Sequence, residues 1–206
     1  MNLIAKYFSN LNNHQLQKLQ SLYSVYADWN SKINLISSKD MDYFYLRHVL
    51  HSLSIAKFYQ FKSGSRVMDV GTGGGFPGVP LAILFTEVKF YLVDSTGKKI
   101  KVINSVKEKL QLDNITTYHQ RVEDLDIKVD FIVCRAVAPM ETLIHWSVNK
   151  VSFKHINNIK NGFLCLKGGD LSEELKGFNG SQVIPLKNYF REEFFETKKL
   201  VYYPLG

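Results

Sequence analysis

Apolar residues near the start of the chain recur at three- and four-residue steps. From Gln15 onward, Leu16, Leu19, Leu22, Tyr23, Tyr26 and Trp29 fall on one stripe, which predicts an amphipathic helix. The segment SSKD at 37–40 reads as a second helix start, with Ser37 placed to cap and Asp40 three residues later. Another amphipathic helix follows through YFYLRHVLHSLSIAKFY, residues 43–59. At Gly64 the period changes. Short apolar runs (RVMDV, KFYLVD, ITTYH, VDFIVCR and GFLCLK) then alternate with helical stretches such as TGKKIKVINSVKEKLQL. Strand, helix and strand at this spacing predict right-handed parallel crossovers and a doubly wound sheet. Two last runs, SQVIPL and ETKKLVYYP, lie close in sequence and predict an antiparallel edge pair. The expected architecture is α/β, a seven-stranded, mostly parallel sheet with an antiparallel edge pair, preceded by an N-terminal helical segment. Residues 1–60 are expected to form the helical extension and 61–206 the sheet domain.

The chain has 206 residues, enough for one domain or one domain with an appended subdomain. With 45% hydrophobic and 22% charged residues it can build a core, which excludes global disorder. No apolar stretch reaches the roughly 18 residues of a membrane span. The N-terminal MNLIAKYFSN lacks the apolar region of a signal peptide, so a cytoplasmic location is expected. Cys134 and Cys165 sit inside strand-like runs without CxxC spacing, and read as buried thiols rather than metal ligands. His48 and His51 are one helical turn apart but have no third ligand at recognisable spacing, so no metal is expected. The net charge is +7. That excess suggests a polyanionic partner, most commonly nucleic acid.

Within VMDVGTGGGFPGVP, residues 67–80, five glycines fall in eight positions directly after the first predicted strand. In an open parallel sheet that turn lies beyond the carboxyl ends of the strands, where ligands bind. Pro77 and Pro80 suit the start of the following helix. Gly73 to Gly78 satisfies the dinucleotide pattern GxGxxG, a weak signal alone. Asp94, 21 residues after Gly73, is placed to hold ribose hydroxyls and fits a dinucleotide and S-adenosylmethionine equally. Asp69 discriminates between them. A carboxylate about 4 Å from a pyrophosphate would cost on the order of 4 kcal/mol at an effective dielectric near 20. The ammonium and sulfonium of S-adenosylmethionine would instead be favoured, if Asp69 points toward the loop.

DVGTGGGFPGVPLAI, LVDSTGKK, RVED, CRAVAP and LKGG, together with DWNSKINLIS and RHVLHSL, resemble the bacterial small-subunit ribosomal RNA guanine-N7 methyltransferases, the RsmG or GidB family. The likeness spans nearly the whole chain. His51 stands where that family usually has Asp. The resemblance implies a Rossmann-like class I methyltransferase fold, S-adenosylmethionine as cofactor, and 16S ribosomal RNA or the small ribosomal subunit as partner. It implies that Gly71 and Phe76 line the methionine side of the donor, with Gly73 in the same loop, and that Asp94 holds the ribose. Val122 and Glu123 would flank the adenine and Arg135 would close the pocket. Arg121 and Lys167, on the same rim, are the candidates for contacting RNA. Nothing in the sequence demands a dimer, and a monomer is expected.

No acid or base is assigned. Enzymes that methylate exocyclic amines usually carry Asn/Asp-Pro-Pro-aromatic after the fourth strand, where this chain has CRAVAP. Those that make 5-methylcytosine usually need a Pro-Cys nucleophile, and Cys134 follows Val133. Guanine N7 needs neither, because it bears a lone pair and no proton. Two other readings stand beside this one: an NAD-dependent oxidoreductase, and an RNA-binding module with a vestigial cofactor pocket.

Overall fold

The computed structural model describes residues 2–33 and 35–205. Seven strands form one sheet in the order β3-β2-β1-β4-β5-β7-β6. They are β1 (Arg66–Val70), β2 (Lys89–Asp94), β3 (Ile115–His119), β4 (Phe131–Arg135), β5 (Gly162–Gly168), β6 (Gln182–Pro185) and β7 (Lys198–Pro204). The first five are mutually parallel, with Asp69 in register with Leu92 on one side and Val133 on the other. β7 slots between β5 and β6 and runs antiparallel to both. The five runs expected to be parallel appear as strands within two residues of their expected ends. β1, β2, β4 and β5 are legible because they are largely buried and read as near-continuous apolar runs. β3, ITTYH, is mostly unburied and is marked instead by its β-branched and aromatic residues. The tail runs do pair antiparallel at one edge, but the later strand lies inside the earlier one.

On the helical side, α1 (Asn2–Tyr7) precedes α2 (Asn13–Asn30), α3 (Ser38–Met41) and α4 (His51–Phe58). Helix α2 begins two residues before Gln15, because Asn12 and Gln15 close a capping box. Its buried stripe is Leu19, Leu22, Val25 and Tyr26, whereas Tyr23 is 42% exposed. Ser37 caps α3 as expected, accepting from the Asp40 amide at 3.1 Å. The helix expected over 43–59 is helical but wound in two ways: Tyr45–Leu50 is a π-helical stretch that runs straight into α4. Such stretches often mark functional sites.

Helices α5 (Gly78–Leu84) and α6 (Gly97–Lys109) cover one face of the sheet, and α7 (Met140–Ser147) covers the other. Alternation along β4 divides the two cores, with Phe131 and Val133 in one and Ile132 and Cys134 in the other. Leu19, Leu22, Tyr26, Leu50 and Leu53 of the N-terminal helices join the same core as Val79, Leu81 and Ile103 of α5 and α6. The helical extension is thus a second helical layer on that face. Cys134 and Cys165 are buried register neighbours with free thiols.

Candidate active site

After β1 the chain turns through the glycine loop into α5. Gly71, Gly73 and Gly75 adopt φ of +62°, +59° and +95°, a region that residues with a Cβ rarely enter. At Gly71 a Cβ would lie 2.8 Å from both Val137 methyls, so only glycine lets the loop pass this close to the β4–α7 connection. The loop is fastened from three sides. Asp69 Oδ2 accepts from Thr72 Oγ1 and from the Gly78 amide, both at 2.7 Å. Asp94 Oδ2 accepts from the Gly73 amide at 2.9 Å. The Tyr26 hydroxyl of α2 donates to the Gly74 carbonyl at 2.6 Å.

Asp69 therefore does point toward the loop. It is fully buried and its Oδ1 has no hydrogen-bond partner. Burial pushes its carboxyl up to about 7, against the lowering effect of the Thr72 and Gly78 bonds and of the Arg135 charge. Only part of a negative charge stands there at neutral pH, which weakens the electrostatic contrast between a phosphate and a cationic donor without reversing its sign.

A cavity of about 310 Å³ opens beyond the carboxyl ends of β1 to β4. Strand order reverses here, where doubly wound sheets take their ligands. Gly71 lines it from β1, Asp94 and Thr96 from β2, Val122 and Glu123 from β3, and Ala136 and Val137 from β4. Asp94 Oδ1 accepts from the Thr96 amide at 2.8 Å, and the Lys99 ammonium lies 3.6 Å from Oδ2. Val122–Asp124 form a single 3-10 turn. That turn is held by buried Lys150, whose ammonium donates to the Glu123 carbonyl at 2.9 Å and to the Leu125 carbonyl. Ala136 has φ +52°, strained for a residue with a Cβ, and lies where the cavity meets Gly71.

A family model described as GidB, rRNA small subunit methyltransferase G, matches residues 15–199. The chain belongs to this family. It is 52% identical over 205 residues to the ribosomal RNA small subunit methyltransferase G of Christiangramia forsetii, covering all of this chain and 97% of that one. It is 51% identical over 203 residues to the protein of the same name from Bacteroides thetaiotaomicron, covering 98% of each. Among solved structures, a precorrin-6y C5,15-methyltransferase from Geobacter metallireducens superposes with a TM-score of 0.56 at 12% identity, over 84% of this chain and 92% of that one. A putative rRNA methylase from Clostridium thermocellum gives 0.54 at 17% identity, over 78% and 98%. At those identities the superpositions speak for the fold, a class I methyltransferase sheet. Neither the oxidoreductase nor the vestigial-module reading finds support among the GidB relatives.

Gly71, Asp94, Arg121, Val122 and Glu123 all meet at the cavity, with Gly73 one bond away through Asp94. Three expected site residues lie elsewhere. Phe76 is buried against Tyr26, Phe44 and His48, at ring separations of 5.0, 5.8 and 5.2 Å. Its large apolar surface is better placed in the seam between loop and helical layer than on a wet wall. Arg135 also turns away from the cavity. Its guanidinium stacks 5.2 Å over Phe76 and donates to the Arg47 carbonyl and to His48 Nδ1, each at 2.9 Å. Burial lowers it to about 10, so it remains a cation at neutral pH.

Lys167 corrects the third expectation. Its side chain is only 9% exposed, and its ammonium is held at 2.6 Å by both the Ala138 carbonyl and Glu174 Oε1. The same Glu174 oxygen accepts from the Met140 amide at 2.9 Å. Together they clamp the β4–α7 loop, and Lys167 is not a free rim cation. Sequence reasoning also missed Val137 and Trp146 on the cavity wall and Lys150 behind it. Val137 was within reach, because CRAVAP directly follows a strand whose carboxyl end faces the ligand site. Trp146 and Lys150 carried no local signal, since their roles depend on where α7 packs.

Among the described residues, no helix is long and apolar enough to cross a membrane, and no group of three His, Cys, Asp or Glu side chains is placed to hold a metal. His51 packs edge-on against Phe194 and Phe195, and its ring is buried.

Proposed function

We propose that this protein transfers a methyl group from S-adenosylmethionine to N7 of a guanine in small-subunit ribosomal RNA, acting as a cytoplasmic monomer on naked RNA or on the assembled subunit. The observation that carries the reading is the single cavity joining the close backbone approach at Gly71 to the carboxylate of Asp94. These are the features an adenosyl donor requires, and family membership supports the same reading. Asp94 would accept from the ribose hydroxyls, and Val122 and Glu123 would flank the adenine. Gly71 and Gly73 would present backbone to the methionine portion. Phe76 and Arg135 would act from behind the loop, bracing it against α2 and the π-helical stretch. Arg121, exposed on the rim, would meet RNA.

The bound donor supplies a methyl group on a positively charged sulfur. Guanine N7 attacks through its own lone pair, so no residue must remove a proton, and the chain's part is to hold base and donor in line and exclude water. The rigid surroundings suit such alignment, since Asp69, Asp94 and Tyr26 each fix a different residue of the glycine loop. Cys134, within β4, is buried in the sheet rather than offered as a nucleophile.

Incubation with labelled S-adenosylmethionine and small-subunit ribosomal RNA, followed by digestion to nucleosides, should yield 7-methylguanosine. Gly73→Val should abolish donor binding with the fold intact, because valine opposes the +59° φ at that position. Label on an exocyclic amine, or stabilisation by NAD but not by the methyl donor, would overturn the proposal. A donor at 100 times its dissociation constant should add about 2.7 kcal/mol of stability.

A further inference from the structure

At the amino ends of the strands, opposite the cavity, residues 152–160 link the end of the α7 region to β5. This loop is tightly held. Val151 bridges Val129, and the Ser152 amide donates to the Val129 carbonyl at 2.8 Å. The buried Asn161 donates from Nδ2 to the carbonyls of Ser152 and Lys154, each at 2.9 Å. Asn157 Oδ1 accepts from the Tyr59 hydroxyl, the Lys62 amide and the Ser65 hydroxyl, all at 3.1 Å. Yet the side chains at its centre, Phe153, Lys154, His155 and Ile156, face solvent, and Phe153 is 84% exposed. His155 Nδ1 accepts from the Asn161 amide at 3.0 Å and helps fix the backbone, whereas the Phe153 side chain stands out from it.

The surroundings are basic. Lys128 lies next to the Val129–Val151 bridge, and Lys62 lies where Asn157 docks. Both are exposed, as is Lys154, and none of the three pairs with a carboxylate among the described residues. An exposed aromatic ring on a rigid backbone, flanked by cations, is the arrangement that stacks an unpaired base and takes the adjoining phosphates. A strand of this length places it roughly 20 Å from the cavity, too far to touch the reacting guanine but within reach of the same folded RNA.

We infer that this edge is a second docking surface for RNA, with Phe153 stacking on an unpaired base and Lys62, Lys128 and Lys154 contacting phosphates. The inference rests on RNA being the substrate. The test measures binding of protein-free small-subunit ribosomal RNA to the full chain across a salt series, alongside donor affinity and melting temperature. Phe153→Ala should weaken RNA binding about five- to tenfold through the lost stacking. Lys128→Ala and Lys154→Ala should each lower the salt slope by about 0.7. All three variants should keep wild-type donor affinity and melting temperature. A photo-crosslinking phenylalanine at position 153 should attach to RNA. Wild-type RNA affinity and salt slope in the variants would overturn the surface while leaving the substrate reading intact. Crosslinking to a ribosomal protein in assembled subunits would assign the edge to a protein partner and overturn it too. If the wild-type enzyme binds no RNA at all, the substrate reading itself fails.

Discussion

Asp69 holds the glycine loop with one carboxylate oxygen and leaves the other unpaired. Its folded-state pKa, about 7, lies above its ordinary 3.8. The folded protein thus binds that proton more tightly than the unfolded chain does. The resulting stability is fully present below about pH 4 and is lost as pH rises through about 7. A cationic donor brought over the loop favours the ionised form. Donor affinity should therefore rise between about pH 6 and pH 8 as the cost of ionising Asp69 disappears. Asp69→Asn should bind the donor more weakly and with no such pH dependence. Calorimetry across that range measures both, and a flat wild-type profile would show that Asp69 does not sense the donor. The side chains at this scale were only half legible. Sequence placed Phe76, Arg135 and Lys167 at the correct strand ends, but it gave no direction, and each turned toward a partner distant in the chain.

Among the elements, β1, β2, β4 and β5 were legible nearly to the residue because burial leaves an apolar run that turn residues punctuate. The insertion of β7 between β5 and β6 was not, since pairing between distant strands leaves no local mark. Nor was the π-helical winding of Tyr45–Leu50, whose apolar spacing resembles that of any buried helix. The β4–α7 loop also becomes intelligible only at this scale. It is pinned by Lys167 at Ala138 and by Glu174 at Met140, and its first residues form the cavity wall facing Gly71. Under the proposed reaction an acceptor base would meet the donor at the cavity this loop lines, and misplacing reacting groups by an ångström can cost about a hundredfold in rate. Lys167→Met should lower kcat at saturating RNA by about tenfold or more, while donor affinity changes by less than about threefold. Glu174→Gln keeps an oxygen for the Met140 amide and should retain most of the rate, whereas Glu174→Ala should not. Steady-state kinetics beside donor calorimetry separate the two effects. An equal loss of kcat and donor affinity would make the clamp merely structural.

Across the whole molecule, the helical layer and the sheet share one core, and the joint between them contains two histidines, His48 half-buried and His51 buried. Burial and the neighbouring Arg135 charge hold His48 down to about 4, and the same causes put His51 well below its ordinary value. His48 must also be neutral to accept from the Arg135 guanidinium at Nδ1, because a protonated ring would set two cations against each other at 2.9 Å. A base whose folded pKa is depressed contributes stability that is present above its unfolded pKa. That stability is lost as pH falls through the folded value, here from about 6.5 toward about 4. Asp69 works in the opposite direction over much of this window, but it is one group against two. Stability should therefore fall on acidification by roughly 1.4 kcal/mol per pH unit for the one uncompensated proton. His48→Gln offers an acceptor oxygen to Arg135 and cannot titrate, so this variant should show an acid limb shallower by about one proton. Denaturant unfolding of both proteins at a series of pH values reads the slopes directly. Parallel acid limbs would mean that the joint between helical layer and sheet does not depend on a neutral His48.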